Sequence, residues 1–169
     1  MSTTSKLGLC AQIARAMEYL SANRVIHHDL ACRNCIVMSP DLDIKVAFFS
    51  LSEDLYASDY YIFNNASVPI RWLSPEALFD EEYSEKSGVW AFGVVLWEIF
   101  SYCKQPYTGK TDEEVIKSLR RDHLLERPKE CPDEVFELMS DCFRKKPEER
   151  PKFADIVANI SEIPIDSNV

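Results

Sequence analysis

The stretch HHDLACRNC, at residues 27–35, stands out in this 169-residue sequence because of what flanks it. A helical pattern ends just before it: the apolar side chains of residues 6–22 fall on one broad face, with Ser5 as a candidate N-cap. A predicted hairpin begins just after it, with strands at residues 35–38 and 43–47. The stretch is therefore predicted to be a loop between a helix and a hairpin, and we expect the chemistry of the chain to lie there.

The second half of the chain is predicted to be helical. Residues 87–101 are apolar on nearly every face, which is typical of a helix buried at the centre of a helical domain. Three further helices are expected, beginning at a capping box at Thr111, at Pro132 and at Pro151. Residues 48–74 show no steady period and are predicted to form a long loop.

The composition fits a single globular domain whose predicted fold class is mainly α with one short β-hairpin. The chain is 46% hydrophobic and 28% charged, and its net charge of -9 does not fit a nucleic-acid partner. Its 4 glycines have no spacing that would form a glycine-rich phosphate loop, and its 6 cysteines are expected to be reduced. We expect neither a signal peptide nor a bilayer span, one domain over residues 1–163, and a frayed tail over residues 164–169.

Residues 27–34 resemble the catalytic loop of protein kinases, H-R-D-L-x-x-x-N, with His28 where arginine is usual. Three more stretches resemble tyrosine kinases in the expected order: the substrate-docking loop and closing A-P-E (PIRWLSPE, residues 69–76), the start of the central helix (SGVWAFGV, residues 87–94) and the Arg-Pro that opens the last helix (ERP, residues 149–151). The resemblance covers residues 6–162. It implies the large, C-terminal, helical lobe of a tyrosine-kinase domain.

Three residues of the loop take catalytic positions in this resemblance. Asp29 takes the position of the proton acceptor, Arg33 lies in the tyrosine-kinase filling of the loop, and Asn34 takes a position that also binds magnesium. Two interpretations of Asp29 stay open, a catalytic base and a structural remnant that hydrogen-bonds the loop, and we favour the remnant. We expect Asn34 to brace the loop and His27 to be a buried histidine with satisfied hydrogen bonds.

The resemblance also assigns roles outside the loop. Tyr56, Tyr60 and Tyr61 have the YxxxYY spacing of receptor activation loops, which predicts phosphorylation by another kinase. The alternative is aromatic packing or plain solvent exposure. Glu76 and Arg150 are expected to form a buried ion pair.

The sequence departs from the family at positions that bind the nucleotide. The magnesium-binding aspartate of D-F-G falls at Phe48 in Phe48-Phe49-Ser50, and a phenyl ring cannot coordinate a cation that prefers oxygen. The small lobe with its glycine-rich loop is missing, and Gly88 replaces an aspartate that would brace the catalytic loop. We therefore expect a pseudokinase without metal or cofactor. Phe48 and Phe49 either fill the empty nucleotide pocket or are core aromatics.

A finer resemblance rests on residues 48–50, 54–61 (DLYASDYY) and 72–76 (WLSPE). These are similar to the colon carcinoma kinase/off-track branch of single-pass receptor pseudokinases, with the derailed-like receptor pseudokinases as rivals. The branch acts as co-receptors in Wnt and planar-cell-polarity signalling. The resemblance implies a silent scaffold at the cytoplasmic face of the plasma membrane. Its partners would be signalling proteins, other receptor kinases or Wnt receptors, and not nucleic acid.

Two other hypotheses stay open. One is a divergent or truncated active tyrosine kinase, which would bind ATP and magnesium. The other is a non-functional fragment that exposes the apolar surface against which a small lobe packs. The start at Met1 suggests a truncated gene model or a short isoform. Membrane contact would then come only through a missing upstream segment, and this chain alone would be cytosolic.

Overall fold

The structure, a computed structural model, describes residues 1–38, 42–48 and 56–164. The helices within this part of the chain are α1 (Thr3–Ala22), α2 (Pro75–Phe79), α3 (Glu85–Phe100), α4 (Asp112–Arg120), α5 (Asp133–Cys142) and α6 (Phe153–Glu162). The strands are β1 (Cys35–Met38), β2 (Asp43–Val46), β3 (Tyr61–Phe63) and β4 (Ala66–Val68). Short 3-10 helices lie at Cys32–Asn34, Ala57–Asp59 and Pro147–Glu149. The predicted fold class, mainly α with a short hairpin, is confirmed.

Helix α3 runs through the centre of the molecule, and every residue from Ser87 to Phe100 is buried. Such a helix needs apolar cover on all sides. Helices α1 and α5 supply it by packing against α3, and α6 packs against α1. The helix begins at Glu85, earlier than predicted, because Ser84 caps it: the Ser84 hydroxyl accepts the Ser87 N–H, and the Ser84 N–H donates to the Ser87 hydroxyl.

Helix α1 turns one apolar face toward this core. Its buried residues are Lys6, Leu7, Leu9, Cys10, Ile13, Ala14 and Met17. The expected N-cap at Ser5 is wrong, because the helix starts at Thr3 and the N–H of Ser5 donates to the hydroxyl of Ser2 at 3.1 Å. The helix ends at Ala22, as predicted, and the chain then enters the loop at residues 27–35.

The first hairpin has the strands that the sequence predicts, with Cys35 opposite Val46 and Met38 opposite Asp43. Residues 39–41 of its expected turn lie outside the described residues. The expectation of a loop without regular structure over residues 48–74 is wrong for its second half, where β3 and β4 form another antiparallel hairpin. Its turn residues Asn64 and Asn65 both have positive φ, the conformation of a tight hairpin turn that asparagine tolerates.

Helix ends in the second half of the chain differ from prediction by a few residues. The short helix α2 was not predicted; Ser74 caps it and Pro75 is its first residue. Pro132 is the N-cap of α5 and not its first residue, and Pro151 precedes α6, which begins at Phe153. Apart from Pro164, the predicted tail lies outside the described residues.

Candidate functional site

The loop at residues 27–35 is fastened to the first hairpin through His27. Its Nε2 donates to the carbonyl oxygen of Ala47 at 2.8 Å, and its Nδ1 accepts the N–H of Asp29 at 3.2 Å. Burial lowers the pKa of His27, so its ring is neutral at pH 7. The ring therefore orients the loop, and the expectation of a buried histidine with satisfied hydrogen bonds is confirmed.

The carboxylate of Asp29 is hydrogen-bonded at both oxygens. The Asn34 amide donates to its Oδ2 at 2.9 Å and also to its backbone oxygen at 2.7 Å. Arg33 donates to Oδ1, and the Tyr60 hydroxyl donates to Oδ2 at 2.5 Å. In this arrangement, Tyr60, from a later segment of the same chain, occupies the place beside Asp29 where a hydroxyl substrate would have to lie.

The guanidinium of Arg33 contacts two aromatic rings beside Asp29. Its guanidinium carbon is 4.9 Å from the centre of the Tyr60 ring and 4.3 Å from the Trp72 ring, and only 4% of its side chain is exposed. Its Nε donates to the Tyr60 hydroxyl at 3.2 Å, and Asp59 lies 3.7 Å from its Nη1. Stacked cation–π contacts of this kind fix the guanidinium in place. Arg33 therefore holds Tyr60 against Asp29.

The place of the family's metal-binding aspartate, directly after β2, is taken by Phe48. Its ring stacks on His27 with the ring centres 4.4 Å apart, and 56% of the residue remains exposed. Phe48 is therefore not a core aromatic; Phe49 and Ser50 lie outside the described residues. Among the residues described, no cluster of three or more His, Cys, Asp or Glu side chains could hold a metal ion. The residues present here do not fit magnesium, which prefers carboxylate oxygens.

The three activation-loop tyrosines have different surroundings. Tyr56 is exposed, whereas the hydroxyl of Tyr60 is bonded to Asp29. The hydroxyl of Tyr61 lies 3.4 Å from a carboxylate oxygen of Glu113, whose charge raises the pKa of Tyr61. Of the three hydroxyls, that of Tyr60 is therefore the one bonded to Asp29.

A buried carboxyl on α3 joins the loop to the segment that follows the second hairpin. Oε2 of Glu98 accepts the N–H of Cys32 at 3.0 Å and the indole N–H of Trp72 at 2.9 Å. Burial raises the pKa of Glu98 to about 7. Sequence reasoning missed Glu98, whose signal is a single acid in the apolar run of residues 87–101.

The neighbouring Arg71 fixes the same segment to the start of α4. Its Nη1 donates to the carbonyl oxygen of Pro106 at 2.8 Å, and its Nη2 donates to Asp112 at 2.8 Å. Residues 69–76 are therefore anchored on two sides. Trp72 bonds to Glu98 of α3, and Arg71 bonds to Asp112 of α4. Residues 70–74 of this segment are buried, so these bonds satisfy polar groups inside the protein.

A buried ion pair holds the end of the same segment, at Glu76. Nη2 of Arg150 donates to Glu76 at 2.9 Å, and the Arg150 side chain is fully buried. Burial alone would raise the pKa of Glu76, but hydrogen bonds from Arg150 and Ser74 and the charge of Arg150 outweigh it, so this pKa is lowered. The pair joins the start of α2 to the turn before α6.

Gly88, at the position of the family's bracing aspartate, has apolar surroundings. A Cβ atom there would lie 3.6 Å from the end of the Met17 side chain and 3.7 Å from the Phe153 ring. The loop is braced instead by His27, Asn34 and Glu98. The architecture of the catalytic loop is thus kept by other contacts.

The fold and the loop geometry define the class of protein. The chain matches the family described as protein tyrosine and serine/threonine kinase over residues 1–160, and it belongs to this family. No helix of the described residues combines the length and apolar character that a bilayer span requires.

Three relatives with different names are each more than 40% identical to this chain. The chain is 44% identical to inactive tyrosine-protein kinase 7 of Homo sapiens over 168 residues, which cover 99% of this chain and 16% of that protein. It is 41% identical to the insulin-like growth factor 1 receptor of Xenopus laevis over 162 residues, 95% of this chain and 12% of that protein. It is 43% identical to the tyrosine-protein kinase transmembrane receptor Ror of Drosophila melanogaster over 157 residues, 92% of this chain and 23% of that protein. The chain therefore spans less than a quarter of the length of these relatives.

Proposed function

We propose that this chain is a catalytically silent tyrosine-kinase-like domain that acts as a signalling scaffold. The observation that carries the proposal is Phe48, an exposed phenyl ring stacked on His27 where the family places its magnesium-binding aspartate. Kinase catalysis consists mostly of positioning the phosphates and neutralising their charge. Without a carboxylate at this position, the loop has no means of holding magnesium on a nucleotide.

The bonding of Asp29 supports the same proposal. A general base contributes only about 10²–10⁴-fold, and only when a nucleophile is placed against a bound phosphate. Each preorganised group that stabilises a transition state contributes about 3 kcal/mol, and several of the family's groups have no counterpart here. Asp29 therefore serves as a structural residue that joins Arg33, Asn34 and Tyr60.

The receptor context is a further part of the proposal. A relative named inactive tyrosine-protein kinase 7 supports the silence of the domain, and one named a transmembrane receptor, Ror, supports a place at the cytoplasmic face of the plasma membrane. We place the chain in a co-receptor of the Wnt and planar-cell-polarity type, tethered through an upstream segment. Its partners would be signalling proteins and other receptor kinases. Tyr56 and Tyr61, whose hydroxyls are not bonded to Asp29, would be the first phosphorylation sites.

A phosphotransfer assay tests the silence of the domain. The purified chain is incubated with magnesium, labelled ATP and a tyrosine-containing peptide, beside the Asp29→Asn variant. We expect the chain and the variant to give the same background. Phosphate transfer by the chain that disappears in Asp29→Asn would instead establish the alternative, a divergent active kinase with Asp29 as its base.

A cellular comparison tests the scaffold role. A receptor that carries this domain should signal equally well with Asp29→Asn and lose its signal when residues 1–163 are deleted. Signalling that survives the deletion would contradict the scaffold role.

The third hypothesis, a fragment without function, rests on exposed apolar side chains. Ile36, Val37 and Met38 of β1 are each 44% exposed or more, and Phe48 lies beyond the paired strand. An apolar patch of this kind favours aggregation. A single cooperative unfolding transition of the monomeric chain would reject this hypothesis, and a broad transition with aggregation would support it.

A further inference from the structure

Two cysteines from distant parts of the chain meet in one cavity beside the loop. The cavity has a volume of about 340 Å³, and its lining includes Cys32, Cys103, Arg33 and Lys104. Cys32 stands where the tyrosine-kinase loop pattern has alanine, and Cys103 follows the C-terminal end of α3. The two residues thus bring a thiol pair to the surface next to Asp29.

Both cysteines are anchored to the same residue of the central helix. The N–H of Cys32 donates to the side chain of Glu98 at 3.0 Å, and the N–H of Cys103 donates to the backbone oxygen of Glu98 at 2.7 Å. Cys103 also has the left-handed backbone conformation, with a φ of 56°. These backbone bonds tie both residues to the end of α3, so both side chains line the same cavity.

The pair divides into one reactive thiol and one protonated partner. The neighbouring Cys32 side chain lowers the pKa of Cys103 to about 6, against the opposing effect of burial. The Cys103 side chain, with burial and the charge of Glu98, raises the pKa of Cys32. Cys103 is exposed and Cys32 is half-buried. An exposed thiolate beside a second thiol is the arrangement that favours thiol–disulfide exchange.

The remaining cysteines lack these properties. Cys10 and Cys142 are buried, and burial raises their pKa far above the ordinary value. Burial also raises the pKa of Cys35 to about 12 and that of Cys131 to about 11. Reaction at neutral pH should therefore be confined to Cys103, followed by Cys32.

We propose that Cys32 and Cys103 are converted into an intramolecular disulfide by a small disulfide such as oxidised glutathione. The Cys103 thiolate attacks one sulfur of the reagent, forming a mixed disulfide and releasing one glutathione thiolate. That thiolate takes the proton of Cys32, whose sulfur attacks Cys103 and releases the second glutathione. Two protein thiols are oxidised to one disulfide, and the reagent is reduced to two thiols.

The bond would join the loop that carries Asp29 to the end of α3. Closing the long stretch of chain between Cys32 and Cys103 restricts the unfolded state, so the oxidised protein should melt at a higher temperature. The oxidation state of Cys32 and Cys103 would thereby set the mobility of the loop. It would also affect Tyr56, which lines the same cavity.

Peptide mapping of the intact chain tests the proposal. The chain is treated with oxidised glutathione at neutral pH, its free thiols are alkylated, and it is digested with trypsin. Cleavage at Arg33 separates Cys32, in residues 25–33, from Cys35, in residues 34–45, and Cys103 lies in residues 87–104. We expect the peptide of residues 25–33 to be joined to that of residues 87–104. The joined mass should be two hydrogen atoms less than the sum of the two peptides. Cross-links spread over all cysteines, or only a stable glutathione adduct on Cys103, would overturn the proposal.

Three variants make the order of steps testable. Cys32→Ser should stop at the Cys103–glutathione adduct, and Cys103→Ser should leave Cys32 unmodified. The matched control Cys35→Ser, changed one turn from Cys32, should form the cross-link at the rate of the unmodified chain. A cross-link rate lost equally in Cys35→Ser, or an adduct on Cys32 in Cys103→Ser, would contradict the order. A cooperative melt of each variant establishes that it is folded.

Discussion

Asp29 shows how a residue can keep the position of a catalytic group and serve another purpose. Arg33, Asn34 and Tyr60 all donate to its carboxylate, and Arg33 in turn stacks on Tyr60 and Trp72. The sequence predicted which residues of the loop matter. It could not predict that Tyr60, far along the chain, would complete the cluster, because that contact depends on the path of a segment without a steady period.

Tyr60→Phe should therefore destabilise the chain. The change removes a hydrogen bond to a charged acceptor, which we expect to cost about 1–2 kcal/mol of unfolding free energy in urea. Tyr61→Phe is the matched control, because the Tyr61 hydroxyl is exposed and lies 3.4 Å from its partner. It should leave the urea midpoint unchanged. Equal urea midpoints for the two variants would show that the hydrogen bond from Tyr60 to Asp29 does not stabilise the fold.

The pair of Glu76 and Arg150 makes a stronger prediction, because Arg150 is fully buried. Glu76→Gln leaves a buried cation without its counter-charge and should lower the unfolding free energy by about 3 kcal/mol or more. The matched control is Asp141→Asn, which breaks an exposed pair with Arg144 and should cost less than about 1 kcal/mol. Urea unfolding measures both. A loss from Glu76→Gln no larger than the control's would rule out a structural role for the pair.

Helix α3 organises the core, because α1 and α5 both pack against it. The apolar run of residues 87–101 predicted this buried helix, and the residues within it that deviate from the apolar pattern carry specific contacts. Glu98 joins the loop to Trp72, and Gly93 lies against α5 and the residue after it. Sequence periodicity identifies the helix but not the partners of such residues.

Glu98 should make stability depend on pH. Burial raises its pKa to about 7 from an ordinary value of 4.5, so the folded chain holds a proton there that the unfolded chain loses. This contribution is fully present below pH 4.5 and is lost as the pH rises through 7, by on the order of 3 kcal/mol. Urea unfolding between pH 4.5 and 8 measures it.

The control for this prediction is Glu98→Gln, compared in a Cys103→Ser background so that the neighbouring thiol does not titrate. The stability of the Glu98 protein relative to the Gln protein should fall with rising pH. His27, whose pKa is lowered by burial, titrates in both proteins and cancels from the difference. A difference that does not change with pH would show that Glu98 is ionised in the folded state throughout.

Alanine substitutions at two glycines of α3 should have opposite effects on the stability of the chain. A Cβ at Gly93 would lie 2.8 Å from Cβ of Cys142 and 2.9 Å from the Phe143 ring, so Gly93→Ala should destabilise the chain by about 1–3 kcal/mol. At Gly88 the nearest atoms are at 3.6 Å or more, and Gly88→Ala should stabilise the helix by about 0.5–1 kcal/mol. Thermal melts of the pair measure the difference. A stabilised Gly93→Ala protein would contradict the packing of α3 against α5.

The sequence predicted most of the architecture, because its helical periods are long and its loop motif has fixed neighbours. It missed the second hairpin, whose strands have only three residues each, and the short helix α2, which begins after the cap at Ser74. Elements this short bury too few side chains to produce a visible period. Phe48 was correctly placed after β2, but its exposed stack on His27 depends on contacts that sequence spacing does not specify.

The loss of magnesium-nucleotide binding is tested most directly by the melting temperature of the purified chain with and without magnesium-ATP. Ligand at a hundredfold excess over its dissociation constant would add about 2.7 kcal/mol, a rise of roughly 5–11 °C for a domain of this size. With Phe48 in place of the metal-binding carboxylate, we predict a cooperative melt that does not move. A rise of that size that requires magnesium would show that a nucleotide site is present and would contradict the proposal of a catalytically silent domain.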